Sequence, residues 1–226
     1  MTLPRRPLPI LPYRKPTEGR DYWVFDDVLP DALAVRERAL ARTDWEMGYP
    51  YRQEESWPGM RITPGLDDSE LAIVETLVRK ATGSQRIWME IAPDGAKLNH
   101  NCIQIVGVDE CEQRPHTDSR VVCRFAAVLY LNPDVPDDCG TSFFRQRLPG
   151  NQRGGNFVMP PHNNLVEALG TRYVPGDAFV EDVRIPYKFN RLLLYRANLL
   201  HSATAYYGHT LEEKRMTAVF FWMAKA

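Results

Sequence analysis

Long apolar runs are missing from this chain. No stretch approaches the ~20 residues that a membrane-spanning helix needs, so no transmembrane segment is expected. A surplus of positive charge is missing as well: 28 Lys and Arg stand against 29 Asp and Glu, a formal net charge of −1. Phosphate backbones are bound by basic excess, so no nucleic-acid partner is expected, although a local basic pocket for a small acid stays open. Cysteine is limited to Cys102, Cys111, Cys123 and Cys139, and no two of them have C-x-x-C spacing. Neither a zinc ribbon nor a thioredoxin-type motif is indicated. Four reduced thiols in a cytosolic protein are the plain expectation. The N-terminal stretch MTLPRRPLPILPYRKP has no long apolar core of the signal-peptide kind, which again points to a cytoplasmic chain. There is no G-x-S-x-G hydrolase elbow. The Gly-rich GNQRGGN (150–156) lacks the Lys-Ser/Thr of a phosphate loop and reads as flexible loop.

What is present is an ordinary globular composition, 44% hydrophobic and 25% charged over 226 residues. Five prolines in the first sixteen residues predict an extended arm over 1–20, followed by a single domain over 21–226. Two helices form a buttress at about 30–83. PDALAVRERALART (30–43) has helical Ala and Leu spacing behind Pro30 and Asp31. DDSELAIVETLVRKATG (67–83) has an N-cap, an apolar face of Leu71, Ile73, Val74, Leu77 and Val78, and a closing Gly83. Between them, GYPYRQEESWPG reads as a loop. From about residue 85 short β-like runs take over: RIWMEI, NCIQIVGV, VVCRFAAVLYLN, TSFFRQ, NRLLLYRA and MTAVFFW. FAAVLYLN would pass for helix in isolation, but the NPDVPDD after it favours a strand ending in a turn. Residues 146–190 form a long polar insertion with one short helix near 163–169, and long loops are often functional. The fold class is thus mainly β with N-terminal helices.

Only five histidines occur: His100, His116, His162, His201 and His209. Two of them stand in a pattern. His116 and Asp118 are two apart, and in extended backbone such residues point the same way. A third ligand is available where the apolar run NRLLLYRANLL ends in His201. Two imidazoles and one carboxylate make a facial triad, a set that suits Fe(II) and leaves coordination positions open, whereas structural zinc favours thiolates. An O2-activating iron needs further electrons, and an acidic cosubstrate that brings them needs a cation. Arg215 lies fourteen residues after His201, at the head of the last strand, and period two puts Thr217 on its face.

In this order and spacing the chain resembles the Fe(II)/2-oxoglutarate-dependent dioxygenases, most of all their prolyl-4-hydroxylase-type branch. HTDSRVVCRFAAVLYLNPD resembles the branch's stretch from H-x-D to a Tyr-Leu-Asn strand end. DDCGTSFFR resembles its glycine-led strand, and RMTAVFFW its closing strand. The likeness covers about half the chain, from Pro115 to Trp222 with the long loop excepted. The usual double glycine is reduced here to Cys139-Gly140. The resemblance implies a cupin-like double-stranded β-helix (jelly roll) in which His116, Asp118 and His201 hold Fe(II) and serve as the catalytic centre. It further implies that Arg215, helped by Tyr130 and Thr217, binds the far carboxylate of 2-oxoglutarate. O2 is then consumed, succinate and CO2 are released, and a C–H bond of the substrate is hydroxylated. In the family's halogenases a small residue replaces the carboxylate, so Asp118 predicts hydroxylation or desaturation instead.

The substrate is expected to be a small molecule, amino acid or peptide, with Asn101, Arg145 and Trp222 as candidate contacts. Two alternatives stay open. One is a non-catalytic jelly roll that binds a ligand or partner. The other is a metallohydrolase using the same three residues around zinc, which has no need of Arg215.

Overall fold

The computed structural model describes residues 7–91, 95, 98–150 and 152–225; the first six residues of the expected arm, and Asn151 of the Gly-rich loop, lie outside that range. Eleven strands and three α-helices are seen among the described residues: β1 (Tyr22–Phe25), α1 (Ala32–Leu40), β2 (Glu46–Met47), β3 (Met60–Ile62), α2 (Asp68–Thr82), β4 (Arg86–Trp88), β5 (Cys102–Val106), β6 (Phe125–Tyr130), β7 (Gly140–Gln146), α3 (Leu165–Leu169), β8 (Phe179–Pro186), β9 (Leu192–Arg196), β10 (His201–Ala203) and β11 (Arg215–Lys225). The strands form two antiparallel sheets. The larger runs β1-β9-β6-β11-β5-β3-β2, with β4 also paired to β11, and the smaller runs β10-β7-β8. This is a double-stranded β-helix.

Strand parity sorts the core. On β11 the even positions Met216, Ala218, Phe220 and Trp222 face outward. They pack with Leu129, Leu194 and Ile105 against Val35 of α1 and Val74 and Val78 of α2. The odd positions Val219 and Phe221 face inward, where they meet Tyr195 and Leu193 of their own sheet and Phe143 of the opposite one. The helices therefore cover the outer face of the large sheet and leave its inner face to the space between the sheets. Their ends are set by caps. The Asp31 side chain accepts from Ala34 N on α1. Asp67 and Glu70 form a reciprocal capping box on α2, which Gly83 ends at φ 68°.

Several elements depart from expectation. β1 was not anticipated, and β2 and β3 arise just before and just after the segment read as loop. β8 crosses the polar insertion: its charged Glu181, Asp182 and Arg184 lie along a strand paired to β7 on one side only. The short helix expected near 163–169 is α3, capped by Asn164. The described part of the N-terminal arm is packed on the body. Two buried amide side chains hold it in place. Gln146 accepts from Leu11 N (2.7 Å) and donates to Pro9 O (2.8 Å), and Asn156 accepts from Arg14 N (3.0 Å) and donates to Arg14 O (2.8 Å). Proline-rich backbone has few N–H donors, so side-chain amides replace a strand partner.

Candidate metal centre and acid-binding cavity

His201 opens β10, and its backbone exchanges two hydrogen bonds with His116, each 2.9 Å, so the H-x-D segment lies as a short extra strand beside β10. A third bond, from Asp118 N to Ala197 O (2.9 Å), holds the next step of that segment. Extended backbone puts the His116 and Asp118 side chains on one side, facing His201. Each imidazole has its Nδ1 on a backbone carbonyl, His116 on Arg114 O and His201 on Leu199 O, both 2.8 Å. A carbonyl only accepts, so Nδ1 carries the proton and the Nε2 lone pair is left for a metal. Asp118 Oδ2 is 3.7 Å from His201 Nε2 and is buried without a hydrogen-bond partner. Among the described residues His116, Asp118 and His201 alone form a group able to hold a metal, their ligand atoms lying within 4.8 Å of one another.

Electrostatics agree with that use. Burial pushes the Asp118 carboxyl up to about 6, against the opposing pull of His116 and Arg61. Burial lowers His201 to about 4. His116 is also lowered to about 4, first by burial and then by His201. By surface area His116 counts as exposed, because one ring edge looks into the cavity, while the protein packed around the rest of the ring still disfavours its charge. At neutral pH the set is two neutral imidazoles and one carboxylate with an orphaned oxygen. No thiolate is among the donors, and this fits a divalent ion such as Fe(II).

The three residues open onto a cavity of about 1030 Å³ between the sheets, which Arg215 and Thr217 also line. Arg215 is 6% exposed. Its Nη2 donates to Gly140 O at a long 3.4 Å, its Nε is buried without a partner, and among the described residues no acid pairs with it. A buried cation left without an anion is costly, so the geometry is that of a receptor for one. Tyr130 lies behind this wall, with its ring centre 5.6 Å from the Arg215 guanidinium carbon and its hydroxyl donating to Thr141 Oγ1 (2.9 Å). Thr217 pairs in register with Tyr130.

The three candidate substrate contacts do not reach the cavity. Trp222 has the wrong parity: it is fully buried on the outer face, with Nε1 donating to Glu75. The amide of Asn101 is spent on Leu66, accepting from its N (2.8 Å) and donating to its O (2.9 Å), on backbone at φ 50°. Arg145 lies beyond the bulge at Phe143/Phe144 and pairs with Asp182 at 3.5 Å. Unforeseen cavity residues are Tyr195, whose ring is tilted 53° against His201 with centres 4.4 Å apart, and Gln104, Arg61 and Trp57 from β5, β3 and the loop before it. Gln104 had a legible signal: it is the one polar residue inside the apolar run CIQIV.

Comparison with solved structures supports the fold. The α-ketoglutarate-dependent non-heme epimerase SnoN from nogalamycin biosynthesis matches with TM-score 0.54 at 18% identity, covering 91% of this chain and 79% of its own. AviO1 from Streptomyces viridochromogenes matches at 0.53 and 15%, covering 92% of each chain. HygX from Streptomyces hygroscopicus, crystallised with nickel, 2-oxoglutarate and hygromycin B, matches at 0.52 and 14%, covering 92% of this chain and 84% of its own. No curated protein sequence matches the chain. A family model does, over residues 11–221, and the chain belongs to that family, the family of unknown function DUF6445.

Proposed function

We propose that this protein is an Fe(II)- and 2-oxoglutarate-dependent oxygenase that hydroxylates a C–H bond of a small molecule, with succinate and CO2 as co-products. One observation carries the reading. A His/Asp/His ligand set and a buried guanidinium without an anion face the same cavity, as a chelating keto acid with a distal carboxylate requires. The epimerase described as α-ketoglutarate-dependent and the nickel and 2-oxoglutarate in HygX support it.

Iron, once bound with 2-oxoglutarate and O2, supplies the oxidising power for attack on an unactivated C–H bond. The chain does the rest. His116 and His201 present Nε2 with Nδ1 held by carbonyls, so ring orientation and tautomer are fixed before metal arrives. Arg215 binds the far carboxylate of the cosubstrate through its free Nε–H and Nη hydrogens, and the Thr217 hydroxyl lies beside it. Tyr130 supports the guanidinium from below. Tyr195, Val219 and Phe221 form an apolar wall that limits water near the ligands.

The test is an anaerobic titration of the Fe(II)-loaded protein with 2-oxoglutarate. A weak visible charge-transfer band is expected, and Arg215→Gln should weaken 2-oxoglutarate about a hundredfold through loss of a charge-assisted pair. With O2 admitted, succinate should form as O2 is consumed. No band would favour the non-catalytic jelly roll. Activity unaffected by Arg215→Gln would favour a hydrolase using the same ligands.

A further inference from the structure

The cavity wall holds a second guanidinium that cosubstrate binding does not use. Three arginines among the described residues have a buried Nε without a partner, Arg36, Arg61 and Arg215, and the last two line the cavity. Arg61 is partly buried on β3, which pairs with β5 in the register Arg61↔Gln104, and Gln104 in turn pairs with Thr217 of β11. Arg61, Gln104 and Thr217 therefore share one face in a row across three strands. Two strand spacings of about 4.8 Å put Arg61 roughly 10 Å across the sheet from the Arg215 strand, on a different wall position of the cavity. The Arg61 side chain is held in position. Its guanidinium carbon lies 4.4 Å above the Trp57 ring, and Nη2 donates to Gln104 Oε1 at 3.3 Å. Stacking fixes the plane of the fork and leaves the buried Nε–H without a partner. Burial lowers the Arg61 pKa, Glu46 and Glu55 offset this only in part, and neither forms an ion pair with it. Arg61, His116, Asp118 and His201 line the same cavity.

We infer that Arg61, oriented by Trp57 and Gln104, binds a carboxylate of the primary substrate, so that the enzyme acts on a small carboxylic acid held between Arg61 and the metal ligands. The naming of the other occupant as 2-oxoglutarate rests on the function proposed above; the anion site at Arg61 does not. Among the functional groups of a small molecule, a planar carboxylate matches the Nε/Nη2 edge of a fixed fork, and a neutral amide does not repay the desolvated charge.

Benzoate and benzamide, alike in shape and different in charge, provide the test. Each is titrated calorimetrically under argon into Fe(II)-loaded protein saturated with 2-oxoglutarate, and again into metal-free protein without it. Benzoate should bind at least tenfold tighter than benzamide in both states. Arg61→Gln should erase that difference, Arg61→Lys should restore part of it, and the Kd of 2-oxoglutarate should stay within twofold in both variants. Equal binding of the two probes, or none, overturns the inference. So does loss of 2-oxoglutarate binding in a folded Arg61→Gln protein, which would assign the guanidinium to the cosubstrate. Failure of wild-type protein to bind 2-oxoglutarate would sink the oxygenase reading instead, while the metal-free titration would still decide the role of Arg61. Far-UV circular dichroism establishes that each variant is folded.

Discussion

Asp118 should weaken the metal-free fold, and replacing it should expose that cost. Its carboxyl is 8% exposed, its Oδ2 has no hydrogen-bond partner, and burial lifts its pKa from 3.8 to about 6. The folded state thus holds this proton more tightly than the unfolded state. The resulting stability is fully present below pH 3.8 and is lost as pH rises through about 6. At 1.36 kcal/mol per pH unit, the cost at pH 7.5 is about 3 kcal/mol as a ceiling, since water in the open cavity screens part of it. Asp118→Asn keeps the shape and removes the charge. In EDTA at pH 7.5 the variant should be more stable than the wild type by up to about 3 kcal/mol, and most of that gap should close by pH 4. Metal should invert the order. An ion at a thousandfold excess over its Kd stabilises by about 4 kcal/mol, available only to the protein that keeps its carboxylate. Urea denaturation followed by circular dichroism, with EDTA or with Mn(II) as a redox-stable substitute, measures both arms. A chelated Asp118→Asn protein less stable than wild type at pH 7.5 would refute the reasoning, as would Mn(II) stabilising both alike.

Asn101→Ala should cost about 2–4 kcal/mol, because it strips both partners from Leu66, yet leave 2-oxoglutarate affinity unchanged. Lost turnover at undiminished stability would return Asn101 to the substrate site. Thr217→Val removes one hydroxyl beside Arg215 and should raise the Kd of 2-oxoglutarate about fivefold, near 1 kcal/mol. An unchanged Kd removes Thr217 from the binding set. Gln146→Ala leaves Leu11 N and Pro9 O unsatisfied, so the arm should loosen at a cost of about 1–3 kcal/mol and tryptic cleavage after Arg14 should quicken. Unaltered cleavage would show that the arm is held by other contacts.

The clustering of His116, Asp118 and His201, the proposed metal ligands, was legible because its geometry is local or topological. The two-residue step from His116 to Asp118 is decided by extended backbone alone, and His201 follows a short apolar run, β9, of the kind a buried strand shows. α2 was legible because its capping box, apolar face and Gly83 agree with one another. β8 was not: its charged Glu181, Asp182 and Arg184 suit a strand with one open edge, and such a pattern is indistinguishable from a polar loop until its partner β7 is known. Asn101 was misjudged because its role is to bridge to Leu66, a contact 35 residues away that no local pattern encodes. Trp222 could have been placed correctly. The parity that sets Thr217 beside Arg215 sets every even residue of β11 on the opposite face.

That parity carries a consequence for how the site and the fold are shared out. The odd positions of β11 hold Arg215, Thr217, Val219 and Phe221 toward the cavity, and its even positions bind the strand to α1 and α2. A substitution on the helix face therefore acts on chemistry only by moving the strand as a whole, which a closely packed core resists. Arg61 shows the converse. Met60 and Ile62 on either side of it are buried, and the three-residue strand is too short to display a period. Its meaning comes wholly from the register that sets it in line with Gln104 and Thr217. A binding residue of that kind is specified by the pairing of β3 with β5, so weakening the pairing, for example through Gly59, whose absent Cβ would meet Ile105 O at 1.9 Å, should disable the Arg61 site while leaving the metal ligands in place. Gly59→Ala protein that keeps its preference for benzoate over benzamide would show that Arg61 is positioned by Trp57 alone.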